Sequence, residues 1–198
     1  VTAPPQIAAL TPDPEVIAAL SDLLVETVAQ GGSVSFMHPL APEIAAGFWR
    51  DSLARTGSGE RVVLGVRDGE GLVGTVTLIL AMPPNQPHRA EIAKLMTRVS
   101  HRGRGIARSL MIEAERVALE AGRTLLVLDT AAEEGAAGLY EKIGYRRVGI
   151  IPGYALKPHG GLVGTILYYK PIGPAGRTEF SGAPDDRSTI RPKANGRN

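Results

Sequence analysis

The sequence predicts an α/β (α+β) domain, and three observations carry that reading. Apolar, strand-like runs on either side of Arg67-Asp68-Gly69-Glu70-Gly71 form a hairpin pattern around a D-G turn signal. Three longer stretches repeat their apolar residues at helical spacing. The run V-S-H-R-G-R-G-I-A, Val99 to Ala107, joins a strand-like segment to the best of these helices.

Taken in order, Gln6 to Leu10 reads as a short first strand. Pro14 opens a helix whose Val16, Ile17, Leu20, Leu23, Leu24 and Val28 share a face, and Gly31 and Gly32 stop it. Ser33 to Leu40 is a loop carrying Phe36, Met37 and His38. Pro42 starts a second helix, with Ile44, Ala45, Phe48, Trp49 and Leu53 grouped, ending at Gly57 to Gly59. Strands are predicted over Arg61 to Val66 and Leu72 to Ala81. A proline-rich crossing, Met82 to Pro87, leads to a further strand over Glu91 to Val99. Gly105 to Ala121 is the strongest helix, with Ile106, Leu110, Ala114, Val117 and Ala121 on one stripe and Gly122 as its cap. Thr124 to Leu128 is almost wholly apolar and reads as a strand covered on both faces. Ala136 to Ile143 is a short helix closed by Gly144, and Arg146 to Ile151 and Leu162 to Lys170 are the last strands. G-L-V-G-T occurs at Gly71 and again at Gly161, too short a match for a repeat architecture.

Residues 1–172 are expected to form one domain. From Gly173 onward Gly, Pro, Asp, Arg and Ser dominate, and a disordered tail over 173–198 is expected. At 198 residues and 43% hydrophobic content the chain can bury a substantial core. It has no apolar run near 18 residues, and V-T-A-P-P-Q lacks the layout of a signal peptide, so no membrane association and a cytoplasmic location are expected. The absence of cysteine excludes disulfides, thiolate metal sites and a cysteine nucleophile. A net charge of +2, with the charges mixed rather than striped, argues against nucleic acid. His38, His88, His101 and His159 are scattered, with no i, i+4 pair, so no metal is expected; neither a G-x-S-x-G elbow nor a Walker loop is present.

Two glycines and two arginines at the mouth of a helix make an anion site. The first helical N–H groups lack intrahelical partners, and the helix dipole favours negative charge there. The ligand this predicts is phosphorylated.

The order strand, R-G-R-G-I-A, amphipathic helix, apolar strand, then L-Y-E-K-I-G-Y resembles the GNAT-type N-acetyltransferase superfamily. Its signature, Arg or Gln, two residues, Gly, one residue, Gly or Ala, falls on Arg102, Gly105 and Ala107. The likeness covers about Ile7 to Pro171. G-G-S-V-S-F-M, R-A-E-I-A-K-L-M, L-D-T at Leu128 to Thr130 and P-G-Y at Pro152 to Tyr154 are most similar to the tabtoxin-resistance acetyltransferase group. Val99 stands where many relatives have proline, and Glu133 where many have an asparagine that touches the cofactor.

The resemblance implies a GNAT acyltransferase fold: a central, mixed, mostly antiparallel sheet with helices on both faces. It implies acetyl-CoA as co-substrate, with its diphosphate on the backbone of Arg102, Gly103, Arg104, Gly105, Ile106 and Ala107. Its pantetheine arm would lie along a strand that splays from its neighbour, held by backbone groups of Leu95, Met96 and Thr97. A backbone N–H there would also steady the oxyanion. The expected acceptor is a small-molecule primary amine, which must lose a proton before it attacks. Glu91 and Asp129 are the candidate bases; each is equally readable as a grip on the ammonium, or as a solvated strand end (Glu91) or a turn cap (Asp129). Tyr140 matches the tyrosine of the family that protonates the departing thiolate. Phe36, His88 and Tyr154 are candidates for the acceptor side. An amino-acid-like toxin or antibiotic is the specific expectation. Polyamines, aminoglycosides and protein N-termini are the alternatives within the fold, and a non-catalytic acyl-CoA sensor the alternative outside it. Monomer and homodimer both remain open.

Overall fold

The computed structural model describes residues 6–69, 71–133 and 137–173. The expected tail beyond 173, Glu70 of the hairpin loop and the expected helix start at Ala136 lie outside them. Among the described residues, seven strands and four α-helices follow in the order β1 (Gln6–Ala9), α1 (Pro14–Ala29), α2 (Pro42–Ala54), β2 (Arg61–Asp68), β3 (Gly71–Ile79), β4 (Arg89–Thr97), α3 (Ile106–Glu120), β5 (Leu125–Ala131), α4 (Ala137–Lys142), β6 (Arg146–Leu156) and β7 (Leu162–Pro171). One sheet holds all seven strands in the order β1-β2-β3-β4-β5-β7-β6. Every neighbouring pair is antiparallel except β4 and β5.

Helices cover both faces. On one, α1 and α2 pack Leu20, Leu24, Trp49 and Leu53 against Val63, Leu72 and Met96. α1 starts where Pro14 follows Asp13, whose side chain accepts from the Glu15 N–H at 2.8 Å, a cap that satisfies one free donor. On the other face, Leu110, Met111, Ala114 and Ala118 of α3 pack with Tyr140 of α4 against Leu64, Val76, Leu126 and Tyr168.

Several boundaries and faces differ from the sequence expectations. Val99 is not in β4 but in a 3₁₀ turn, Val99–His101. Gly105 is the N-cap of α3 rather than part of it. The buried stripe of α3 runs through Met111 and Ala118 instead of Val117 and Ala121, one position around the helix. Ile44 is exposed, because α2 rests on Ala45, Trp49 and Leu53. The strand buried on both faces is β3, not β5. The core under α1 and α2 draws on β2–β4 and on Leu10 just after β1, and takes no residue from β5–β7, so the β5 face carrying Leu125, Val127 and Asp129 is only partly covered.

The two G-L-V-G-T segments occupy matching places, each opening the second strand of a hairpin. Their second glycines, Gly74 and Gly164, sit where a Cβ would come within 2.8 Å of Ile106 Cγ2 and 3.0 Å of Ile150 Cγ2, respectively. Gly74 thereby lets the first turn of α3 lie directly on the sheet.

Candidate active site

The site begins where β4 and β5 part. Three residue pairs join them, Arg89 with Leu125, Ala90 with Leu126 and Glu91 with Val127, and beyond these β4 has no registered partner on that side. β4 carries an irregularity there. Thr77 of β3 faces Ala93 and Thr75 faces Met96, so β4 contains an extra residue. Lys94 in this bulge has a left-handed backbone, φ 52°, costly for a side chain with a Cβ.

A cleft of about 550 Å³ opens along the gap. β4 lines it from Ile92 to Thr97, the end of α1 and its loop from Gln30 to Ser35, and the far wall is Asp129, Thr130, Leu139 and Tyr140. Arg102 and Ala107 close it at the mouth of α3. Gly103 and Gly105 both adopt left-handed φ, 76° and 79°, with open space where a Cβ would be, so conformation rather than crowding calls for glycine. Among the described residues no side chain caps α3, whose first turn meets the cleft at Ala107. Ile106 is buried and anchors the turn, while Arg102, Gly103, Arg104 and Gly105 are exposed.

The loop is latched from below. Arg98 donates through Nε to the Leu72 carbonyl at 2.9 Å and pairs with Glu26 at 2.8 Å. The Val99 N–H donates to Glu26 Oε1 at 2.9 Å, a bond that the proline of many relatives has no hydrogen to make. His101, only 3% exposed, lies 2.9 Å from the Asp68 carboxylate and 2.8 Å from Ser100 Oγ. Glu133 forms an ion pair with Lys157 at 2.8 Å.

Leu95, Met96, Thr97, Arg102, Ala107, Asp129 and Tyr140 thus line one cleft, whereas Gly103, Arg104, Gly105 and Ile106 stand outside its lining. Glu91 lies in the paired part of β4, outside the lining, with its carboxylate 3.6 Å from Arg89. His88 precedes β4 at the end remote from the loop, and its carbonyl accepts from the Thr124 and Leu125 N–H groups. Tyr154 is exposed on the edge strand β6. Phe36 packs edge-on against Phe48, with ring centroids 5.3 Å apart, and stands outside the cleft lining, its ring centroid 5.9 Å from the ammonium of Lys94. Tyr145, one ring away from Tyr140 at 6.0 Å, is core; burial, then Glu115, drives its pKa upward, and its hydroxyl has no partner among the described residues.

Lys94 and the His101–Asp68 pair were not singled out from the sequence; Thr97 was, for its backbone, and its Oγ1 is buried with no partner among the described residues. The one available signal for Lys94 was a lysine inside an apolar strand run, A-E-I-A-K-L-M. His38 and His159, far apart in sequence, bring their rings to 4.5 Å. Among the described residues no three His, Cys, Asp or Glu are grouped to hold a metal ion, and no helix is long and apolar enough to cross a membrane.

The fold matches solved acetyltransferases. The phosphinothricin acetyltransferase from Sinorhizobium meliloti, solved in complex with acetyl-CoA, aligns with a TM-score of 0.72 and 16% identity over 85% of this chain and 89% of that one. The ribosomal-protein-alanine N-acetyltransferase from Brucella melitensis aligns with a TM-score of 0.71 and 19% identity, over 84% and 99%. In sequence, N-acetyltransferase 8B of Rattus norvegicus is 35% identical over 83 residues, which are 41% of this chain and 37% of that protein. The chain therefore spans little more than a third of that relative. Residues 24–145, running from α1 through the cleft to the end of L-Y-E-K-I-G-Y, match the acetyltransferase (GNAT) family, and the chain belongs to it.

Proposed function

We propose that the chain transfers an acetyl group from acetyl-CoA to the primary amine of a small molecule, with an amino-acid-like toxin or antibiotic as the acceptor. The observation that carries this reading is the uncapped mouth of α3 opening directly into the gap between β4 and β5. The helix mouth suits a diphosphate. The unpartnered edge of β4 from Ile92 to Thr97 suits a polar arm that needs hydrogen bonds, and the buried Thr97 Oγ1 lacks one.

When bound, acetyl-CoA supplies the activated acyl group; the protein supplies position and proton transfers. Asp129, on the cleft wall, takes a proton from the acceptor ammonium directly or through water. Glu91, in the paired stretch of β4, is less well placed for this. The freed amine forms the new N–C bond as the C–S bond breaks, and the hydroxyl of Tyr140 gives the departing thiolate its proton. No covalent enzyme intermediate is required, since holding both reactants in one cleft removes much of the barrier. The chain works in the cytoplasm on this reading, in keeping with its lack of cysteine. The exposed apolar residues of edge strand β6, Val148, Ile150 and Ile151 among them, favour a homodimer over a monomer.

Steady-state CoA release across a panel of amines tests the proposal. Turnover with at least one small amine is expected. Tight acetyl-CoA binding without CoA release from any amine would instead establish a non-catalytic sensor.

A further inference from the structure

Acetyl transfer leaves Lys94 without a task, although it lines the cleft. Its ammonium donates to Ser35 Oγ at 3.1 Å and lies 5.9 and 5.6 Å from the ring centroids of Phe36 and Phe48. Among the described residues no carboxylate pairs with it at contact distance; Asp129 and Glu91 act on it only at longer range. Lys157 and Lys170, by contrast, each close on a glutamate at 2.8 and 2.7 Å. Burial, the largest influence on Lys94, pulls its pKa below the usual lysine range. A half-buried cation of this kind gains from any anion that reaches it, more than it would in open water.

The surroundings say what such an anion belongs to. Lys94 on β4 and Asp129 on β5 line the same cleft from the two strands that part. The lining is therefore dipolar, positive on one wall and negative on the other. A second ammonium, as in a polyamine or an aminoglycoside, would have to approach Lys94 against like charge.

Resting on the acetyl-transfer reading, we propose that Lys94 binds an anionic group of the acceptor, which is a small zwitterion: a primary amine that also carries a carboxylate or an equivalent oxyanion. Its ammonium faces Asp129 and its anion faces Lys94. The bulge fixes this arrangement, because the extra residue turns the Lys94 side chain toward Ser35 and the two phenylalanines.

The test compares glycine, β-alanine, γ-aminobutyrate and L-lysine with their carboxamides, each rate expressed per free-base amine. The wild type should prefer the best acid over its amide by about 10- to 100-fold in kcat/KM. Lys94→Met, which keeps an apolar stem over the rings, should bring that ratio to within about threefold, and Lys94→Arg should restore most of it. Calorimetry with N-acetylglycine and N-acetylglycinamide on the CoA-loaded protein reads the same preference without turnover. Equal rates and equal binding for acids and amides would overturn the proposal and leave acetyl transfer standing. So would a Lys94→Met variant slowed on all acceptors alike with the preference intact. An absence of CoA release from every amine would count against acetyl transfer itself, while the calorimetric comparison would still decide the role of Lys94.

Discussion

Ile92 and Met96 stand four residues apart on β4 and face opposite layers of the protein. Ile92 belongs to the core beneath α3, Met96 to the core beneath α1 and α2. In a regular strand an even spacing keeps two side chains on one face. The extra residue around Lys94 shifts the alternation by one, so that both cores are filled from a single strand and the cleft opens between them.

The bulge predicts an inverted stability order. In a regular strand glycine is less stable than alanine by about 0.5–1 kcal/mol. At the left-handed backbone of Lys94, Lys94→Gly should instead be more stable than Lys94→Ala by about 1 kcal/mol in urea denaturation. An alanine variant as stable as the glycine variant would show that the bulge is absent in solution.

Tyr140→Phe should lower turnover by about 100-fold and leave acetyl-CoA affinity nearly unchanged, since it removes one proton donor and little packing. Initial rates and equilibrium binding check it. Unchanged turnover would remove Tyr140 as the acid.

The neighbouring tyrosine should behave in the opposite way. Tyr145 ends in the core with a hydroxyl that has no partner among the described residues. Tyr145→Phe deletes that group and keeps the ring, so stability should hold or rise by about 1 kcal/mol, with turnover unaffected. Thermal unfolding distinguishes this from a loss, which would point to a partner for the hydroxyl.

His101 ties the arginine–glycine loop to the β2–β3 hairpin through Asp68. His101→Ala should raise the acetyl-CoA KM by about tenfold while kcat at saturation stays within about twofold, because the loop loses its support and the reacting groups keep theirs. A fall in melting temperature with acetyl-CoA affinity intact would reduce the pair to a purely structural contact.

The sequence carried some of this well and some not at all. α1, α3 and the β2–β3 hairpin announce themselves through long periodic patterns, a Pro14 start and a D-G turn, all local signals. The turn at the mouth of α3 was equally visible, since Gly103 and Gly105 act through their own backbone angles. The splay was not readable from periodicity; only the family likeness suggested it. A single inserted residue leaves A-E-I-A-K-L-M looking like any apolar strand, so nothing in the sequence singles out Lys94. The short apolar run of β5 suggested cover on both faces, because composition does not report how far a helical layer extends. The latch between His101 and Asp68 joins residues 33 positions apart that share no pattern.

The parting of β4 from β5 also divides the sheet into two parts, β1–β4 and β5–β7, that touch through three residue pairs and share a core on one face only. A molecule lying in that seam would meet backbone groups where the sheet has fewest bonds of its own. Binding to the folded chain there raises its stability in step with the ligand's concentration. Donor supply would then govern how long the protein survives in the cell, as well as how fast it works.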